Sequence, residues 1–392
     1  MCGLSSWKDG INVRESIVQI YLLLFRIFYR IFCLLPVKPV TLFWVTYGDN
    51  VKPINDALLT GFPKEKRYLI YDRKFVKYPE SWSTERILPY RRLRFIRLAY
   101  LLATSKHVFI DNYIGEFSVA PIRKGTQRVQ LWHAAGTLKK FGLTSARSLI
   151  VSKPILQRFK RVYQRYGDFI VPGEACAEQF MAPHDLKKSV FKSFGVPRTD
   201  YWFNEQHESI KEELQSAYAR EDRRILLYAP TYREYNGMEG QTVRQLEQLT
   251  DRGWTILVKL HPTVRTMFTH KKTHVHFVTD EFSINDYLLI TDVLVTDYSS
   301  IPFESCLLGI PTILYTPDLE TYRQIPGIVD SYPNPLPVMS TTQFDGVLNW
   351  IDSDTALQES RRAMEQFKTL WYTEQPGQAT SRIINHYYQK TI

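Results

Sequence analysis

Asp292-Val-Leu-Val-Thr-Asp-Tyr-Ser-Ser-Ile-Pro-Phe-Glu304 decides how the rest of this chain is read. Val293, Leu294 and Val295 form an apolar, β-rich run that stops at Asp297. Ser299 and Ser300 follow at once, and Pro302 suits the first turn of a helix running through Phe303, Leu307 and Leu308. The first N–H groups of a helix have no partner within it, and the macrodipole is positive there. A strand, a hydroxyl-rich turn and a helix start therefore predict a phosphate site.

Outward from this stretch, short apolar runs alternate with helical lengths. Strands are predicted at Val40–Val45, Tyr68–Tyr71, His107–Ile110, Val129–Trp132 and Phe169–Val171. After a polar helical stretch (Glu205–Glu221), others follow at Ile225–Tyr228, Thr255–Lys259, Val275–Val278, Val293–Val295 and Thr312–Tyr315. Buried single strands separated by helices read as parallel α/β units. Two sets split near residue 205 predict an α/β chain of two doubly wound domains facing across a cleft. The expected division is an N-terminal helix over 1–38, a first domain over 39–204, a second over 205–372, and a final segment over 373–392 whose helix (Ser381–Gln389) packs back on the body.

In open parallel sheets, ligands bind at the carboxyl ends of the strands. Here those ends carry His133 with Lys139 and Lys140, then Thr231 and Arg233, then Lys259 and His261, then Thr296, Asp297, Ser299 and Ser300. These side chains hold phosphates and move protons. Any one alone reads as a satisfied structural histidine, a surface charge or a helix cap; their recurrence at one edge favours a site.

The 392-residue chain carries a net charge of +10, which predicts an anionic partner. No acidic residue lies between Glu116 and Asp168, an interval with eleven Lys and Arg. A second basic stretch, Arg91 to Arg97, interleaves charge with Leu93 and Ile96. Both suit anionic substrates or anionic lipid heads. Aromatic-interleaved basic strands and a helix-turn-helix are missing, which argues against nucleic acid. Residues 17–35 are apolar but interrupted by Gln19, Arg26 and Arg30, a pattern for a helix in the membrane interface or docked on the protein's own core rather than one crossing a bilayer. Four scattered cysteines predict a reducing compartment and no disulfide framework, and no metal site is read around His270, His274 and His276. P-loop, dinucleotide-fingerprint and nucleophile-elbow motifs are absent.

Five motifs taken in order resemble one family. Gln130-Leu-Trp-His133 with Leu138-Lys-Lys140, Tyr228-Ala-Pro-Thr-Tyr-Arg233, Val258-Lys-Leu-His-Pro262, Thr296-Asp-Tyr-Ser-Ser300 and Gly195-Val-Pro-Arg-Thr-Asp200, with Asp111-Asn112, are similar to the CDP-glycerol glycerophosphotransferases of wall teichoic acid synthesis. The resemblance implies a GT-B fold of two Rossmann-like domains, with the donor nucleotide in the second. The length resembles the family's primase branch, which acts on a lipid-linked disaccharide. Departures are Ala134, Glu304 and Gln375-Pro376-Gly377.

What the resemblance implies is transfer of glycerol phosphate from CDP-glycerol to an undecaprenyl-diphosphate-linked ManNAc-GlcNAc disaccharide, with release of CMP. Catalysis falls to His133, His261 and Asp297. Thr231, Arg233, Lys259, His261, Thr296, Ser299, Ser300 and Glu304 are expected at the donor, Glu304 on its ribose. Asp111, Asn112, Lys139 and Lys140 are expected at the acceptor. No cofactor is implied, and a need for Mg2+ is left open. The expected setting is the cytoplasmic face of the bacterial plasma membrane, against an anionic surface and beside other teichoic acid enzymes. Other readings are a ribitol-phosphate or later-unit transferase, a capsule polymer transferase, or a nucleotide-sugar enzyme of the same fold.

Overall fold

The structure is a computed structural model that describes residues 3–219, 223–231, 238–260, 274–279 and 281–388. Thirteen strands among them form two wholly parallel sheets. The first holds β1 (Lys38–Val45), β2 (Lys66–Tyr71), β3 (Arg86–Pro89), β4 (Ser105–Ile110), β5 (Gln127–Gln130), β6 (Asp168–Val171) and β7 (Phe191–Ser193), in the order β3-β2-β1-β4-β5-β6-β7. The second holds β8 (Arg224–Tyr228), β9 (Trp254–Val258), β10 (Val275–Phe277), β11 (Val293–Thr296), β12 (Thr312–Tyr315) and β13 (Met339–Thr341), in the order β10-β9-β8-β11-β12-β13. Counted from its own first strand, each sheet contains the order 3-2-1-4-5-6, which the first extends by a seventh strand, so each has a switch point between its first and fourth strands. The two halves share this winding without a sequence repeat.

The central strands are continuous apolar runs because helices cover both faces of the sheet. Thus β9, β11 and β12 are buried at every residue. The edge strands are half-exposed instead: β3 and β7 in the first sheet, β10 and β13 in the second. One core cluster crosses the seam between the domains, joining Val108, Ala135, Leu138 and Phe169 to Leu227, Leu294, Phe303 and Trp371.

The chain ends tie the domains further. The last helix (Ala379–Tyr388) buries Ile383, Ile384 and Tyr387 beside Phe43, Val45 and Phe109 of the first sheet. Asp200 holds its start, accepting the Ala379 N–H at 3.0 Å and the Thr380 N–H at 2.7 Å. The N-terminal helix (Gly3–Phe32) docks one face through Leu22, Phe25 and Tyr29. Tyr21 donates to the buried Glu116 at 2.6 Å, and Tyr29 to the Pro121 carbonyl at 2.5 Å. Its other face presents Ile17, Ile20, Leu24, Ile27 and Ile31 to solvent at three- and four-residue spacing. The sequence offered core docking or interface contact; the helix has a face for each. No helix among the described residues is long and apolar enough to cross a membrane.

Candidate active site

Each switch point is organised by a buried aspartate directly after the fourth strand. Asp111, following β4, accepts the N–H groups of Thr46 at 2.7 Å, Tyr47 at 2.9 Å and Gly48 at 2.6 Å, all just past β1. Asp297, following β11, accepts the N–H of Thr231 at 2.9 Å, past β8, and of Tyr298 at 2.6 Å. A short carboxylate can bond the neighbouring strand-end loop only where the two strands lie side by side. Burial pushes the Asp111 carboxyl up to about 6, against the pull of its three N–H donors. Both aspartates are almost fully buried. Asp111, expected at the acceptor, here fixes the loop that follows β1.

His133 sits two residues beyond the Leu131 at which the chain leaves the sheet. Its Nδ1 lies 3.0 Å from the Asp111 carbonyl. A carbonyl only accepts, so Nδ1 carries the proton and Nε2 keeps its lone pair. The ring is held between Tyr47, 4.8 Å away, and Trp132, 4.5 Å away and stacked. The strand expected to reach Trp132 ends at Gln130, because Trp132 adopts the left-handed conformation at φ 53°. Gln130 stabilises that turn by accepting the Trp132 N–H at 2.9 Å. Burial pushes the imidazole down from 6.5 to about 4, its bond to Asp111 opposes this, and the Arg198 and Lys139 cations add to the depression. His133 is therefore a neutral base at ordinary pH.

The loop that follows packs against the second domain. A side chain on Gly136 would run into the Phe303 ring, so only glycine lets the two segments meet. Lys139 bridges Ile328, Lys140 N–H donates to the Gly327 carbonyl at 3.0 Å, and Val329 N–H donates to the Leu138 carbonyl at 3.0 Å. The Trp371 indole donates to the Ala135 carbonyl at 2.7 Å, and the Tyr372 hydroxyl to the Phe303 carbonyl at 3.1 Å. The histidine loop and the Ser299–Glu304 segment thus share one joint.

In the second domain, Thr296 donates to the Ala229 carbonyl at 2.6 Å, an internal strand-end bond. Ser299 and Ser300 are half-buried, and Ser299 Oγ accepts the Ile301 N–H at 3.3 Å. The expected helix is one α-turn, Pro302–Ser305, tightened to a 3₁₀ turn through Leu308 and closed by Gly309 at φ 64°. Its dipole is short, so the macrodipole on which the phosphate reading drew is small here. Lys259 bonds the Thr279 carbonyl at 2.5 Å, and Lys140 pairs with Asp330 at 2.7 Å. Asn112 Oδ1 accepts the Tyr113 N–H at 2.8 Å. Arg233 and His261 lie outside the described residues.

Glu304 is buried and faces protein. Arg198 forks onto it with Nε at 2.9 Å and with Nη2, and Asn285 donates to it at 3.5 Å. Glu304, expected at the donor ribose, here has both carboxylate oxygens bonded by Arg198. The sequence reading gave Arg198 no role although it lies in the quoted Gly195–Asp200 motif, because nothing local signals a partner 106 residues away.

The one-sign basic run also divides. Arg128 is buried over the Phe117 ring, Arg158 pairs with Glu15, and Lys160 pairs with Asp185 at 3.4 Å. The acids missing locally are supplied from elsewhere, so the run is not one uniform surface.

The family described as CDP-Glycerol:Poly(glycerophosphate) glycerophosphotransferase matches residues 27–388. The chain belongs to this family and is a glycerophosphotransferase. It is 30% identical over 358 residues to the teichoic acid glycerol-phosphate primase of Bacillus subtilis (strain 168), covering 89% of this chain and 91% of that one. It is 32% identical over 298 residues to a teichoic acid ribitol-phosphate primase of Bacillus spizizenii, covering 72% and 75%. Among solved structures, the wall teichoic acid polymerase TagF, in a variant soaked with CDPG, superposes with a TM-score of 0.76 at 18% identity over 99% of this chain and 98% of that one. A UDP complex of S. aureus MnaA superposes at 0.60 with 14% identity, over 91% and 98%. These likenesses establish the fold as GT-B-like.

Proposed function

We propose that this glycerophosphotransferase moves glycerol phosphate from CDP-glycerol to an undecaprenyl-diphosphate-linked disaccharide, as a primase of wall teichoic acid. The observation that carries the mechanism is the His133 imidazole. It is neutral, its Nδ1 is tied to Asp111, and its loop abuts the Ser299–Glu304 segment. An acceptor hydroxyl attacks the β-phosphorus and gives its proton to His133 Nε2. The bond from that phosphorus to the bridging oxygen breaks, and CMP leaves with the electron pair. Charge spreads over the phosphoryl oxygens, so positioning and electrostatic stabilisation dominate.

Ser299, Ser300 and Lys259 hold the donor diphosphate, and the motifs that contain Arg233 and His261 assign those two residues the same role. Asp297 and Thr296 shape the turn beneath it and Thr231 closes its edge. Lys139 and Lys140, at the seam, meet the acceptor's diphosphate, with Asn112 beside them; Lys140 exchanges Asp330 for it.

The membrane side is the exposed apolar stripe of the N-terminal helix. Beside it runs a groove lined by Phe32, Leu93, Arg94, Ile96, Arg97 and Tyr100, which mixes apolar and cationic side chains. Such a face suits the anionic cytoplasmic leaflet on which a lipid-linked acceptor resides.

Incubating the full chain with CDP-glycerol and the lipid disaccharide, and weighing the product, tests the proposal. One added glycerol phosphate and free CMP are expected. Several units would mean a polymerase, and no transfer would refute the reading. The likeness to a ribitol-phosphate primase makes CDP-ribitol the second donor to offer.

A further inference from the structure

We propose that Arg198 is a positioning residue for the transfer: it locks the peptide carrying His133 to the second domain, so that docking of the two domains sets the base in place. The inference rests on the reading of His133 as the base.

Arg198 lies in a 3₁₀ segment, Pro197–Phe203, on the first domain's side of the joint. Its backbone N–H donates to Asn50 Oδ1 at 3.2 Å, and its Nη1 donates to the His133 carbonyl at 3.1 Å. The remaining two arms of the guanidinium, Nε and Nη2, take both carboxylate oxygens of Glu304 in the second domain. The Asn50 amide in turn donates to the Trp132 carbonyl at 3.1 Å. Both carbonyls of the turn that aims the imidazole are therefore tied, and the turn contains a non-glycine residue at positive φ that needs such support. Of the two ties, only Arg198 reaches across to the segment carrying Ser299 and Ser300. Its five donors in a planar fork suit this three-way junction, where a lysine ammonium does not. Glu304 outweighs burial and keeps the guanidinium charged. That charge also helps hold the nearby imidazole neutral.

A mere structural tie predicts a different outcome, since the Trp371 indole already spans the joint to the Ala135 carbonyl. Two readouts on the full chain separate the cases. Arg198→Gln is expected to lower kcat by about 10²-fold while KM for CDP-glycerol moves by less than about threefold. Arg198→Lys, which keeps the charge and folds more safely, should lie between. Glu304→Gln should lower kcat in the same way, and the double variant should lose little more than either single one. Independently of turnover, the His133 ring resonance, identified by its loss in His133→Gln, should titrate at higher pH in Arg198→Gln than in the parent. A lowered melting temperature with unchanged kcat and unmoved titration would overturn the proposal. A rise in KM alone would also overturn it, making Arg198 a donor ligand. Should the parent show no transfer from CDP-glycerol, the functional reading falls and the positioning role falls with it; a loss confined to the variants, with an active parent, bears on the positioning role alone.

Discussion

The proposed mechanism turns on a single imidazole, and its surroundings decide what it can do. The sequence placed His133 at a strand end beside other polar groups, which was enough to nominate it. It did not reveal the Asp111 carbonyl on Nδ1, the flanking rings or the left-handed Trp132, all of which need tertiary neighbours. Nor did it reveal the N–H groups that bond Asp111 or the guanidinium that bonds Glu304. A carboxylate's spacing along the chain cannot say whether N–H groups or a guanidinium will claim it.

The depressed His133 value has a signed consequence. As the proposed base, His133 works when unprotonated, and it stays so down to about 4. The profile of kcat/KM against pH should therefore stay flat from about pH 8 to about pH 5, where an ordinary imidazole would already be failing. An acid limb centred near 6.5 would show that His133 is unperturbed or is not the base. Stability follows the same sign. The unfolded chain protonates His133 before the folded one does, so the fold loses stability as pH falls from 6.5 toward 4. His184, buried among aromatic rings and also lowered to about 4, adds to that loss.

Among the elements, the buried strands were legible because apolar β-rich runs of four to six residues have few other uses. The half-exposed strands β3, β7 and β13 escaped, since pairing at a sheet edge needs no apolar run. The turn after β11 was read correctly as strand, hydroxyls and helix, but the helix proved to be one α-turn. Gly136 shows what a sequence hides: its missing side chain is the space in which Phe303 sits. Gly136→Ala should cost about 1–3 kcal/mol of stability through overpacking and should slow turnover as the joint opens. Thermal unfolding and initial rates check this; a variant as stable and active as the parent would show that the joint has slack.

At the scale of the molecule, the two-domain winding followed from alternating strand and helix lengths. The repeated 3-2-1-4-5-6 order did not, because it leaves no trace in residue identity. The N-terminal helix turned out to be two-sided, docked through Phe25 and Tyr29 and exposed along Ile17 to Ile31. Ile20→Glu with Ile27→Glu should weaken sedimentation with phosphatidylglycerol vesicles by at least about tenfold, because each buried isoleucine contributes about 1.5–3 kcal/mol. CDP-glycerol affinity should be unchanged. Full vesicle binding by the double variant would assign the stripe to another role.

The two domains are held to divide the labour, the first supplying the base and the second the donor diphosphate. Steady-state kinetics of His133→Ala and Ser299→Ala, with CDP-glycerol varied, test that division most directly. The account predicts that His133→Ala loses about 10²–10⁴-fold in kcat with donor KM nearly constant. Ser299→Ala should instead raise donor KM about tenfold, the scale of one hydrogen bond to a charged group. The opposite split, or a His133→Ala variant that turns over like the parent, would contradict it.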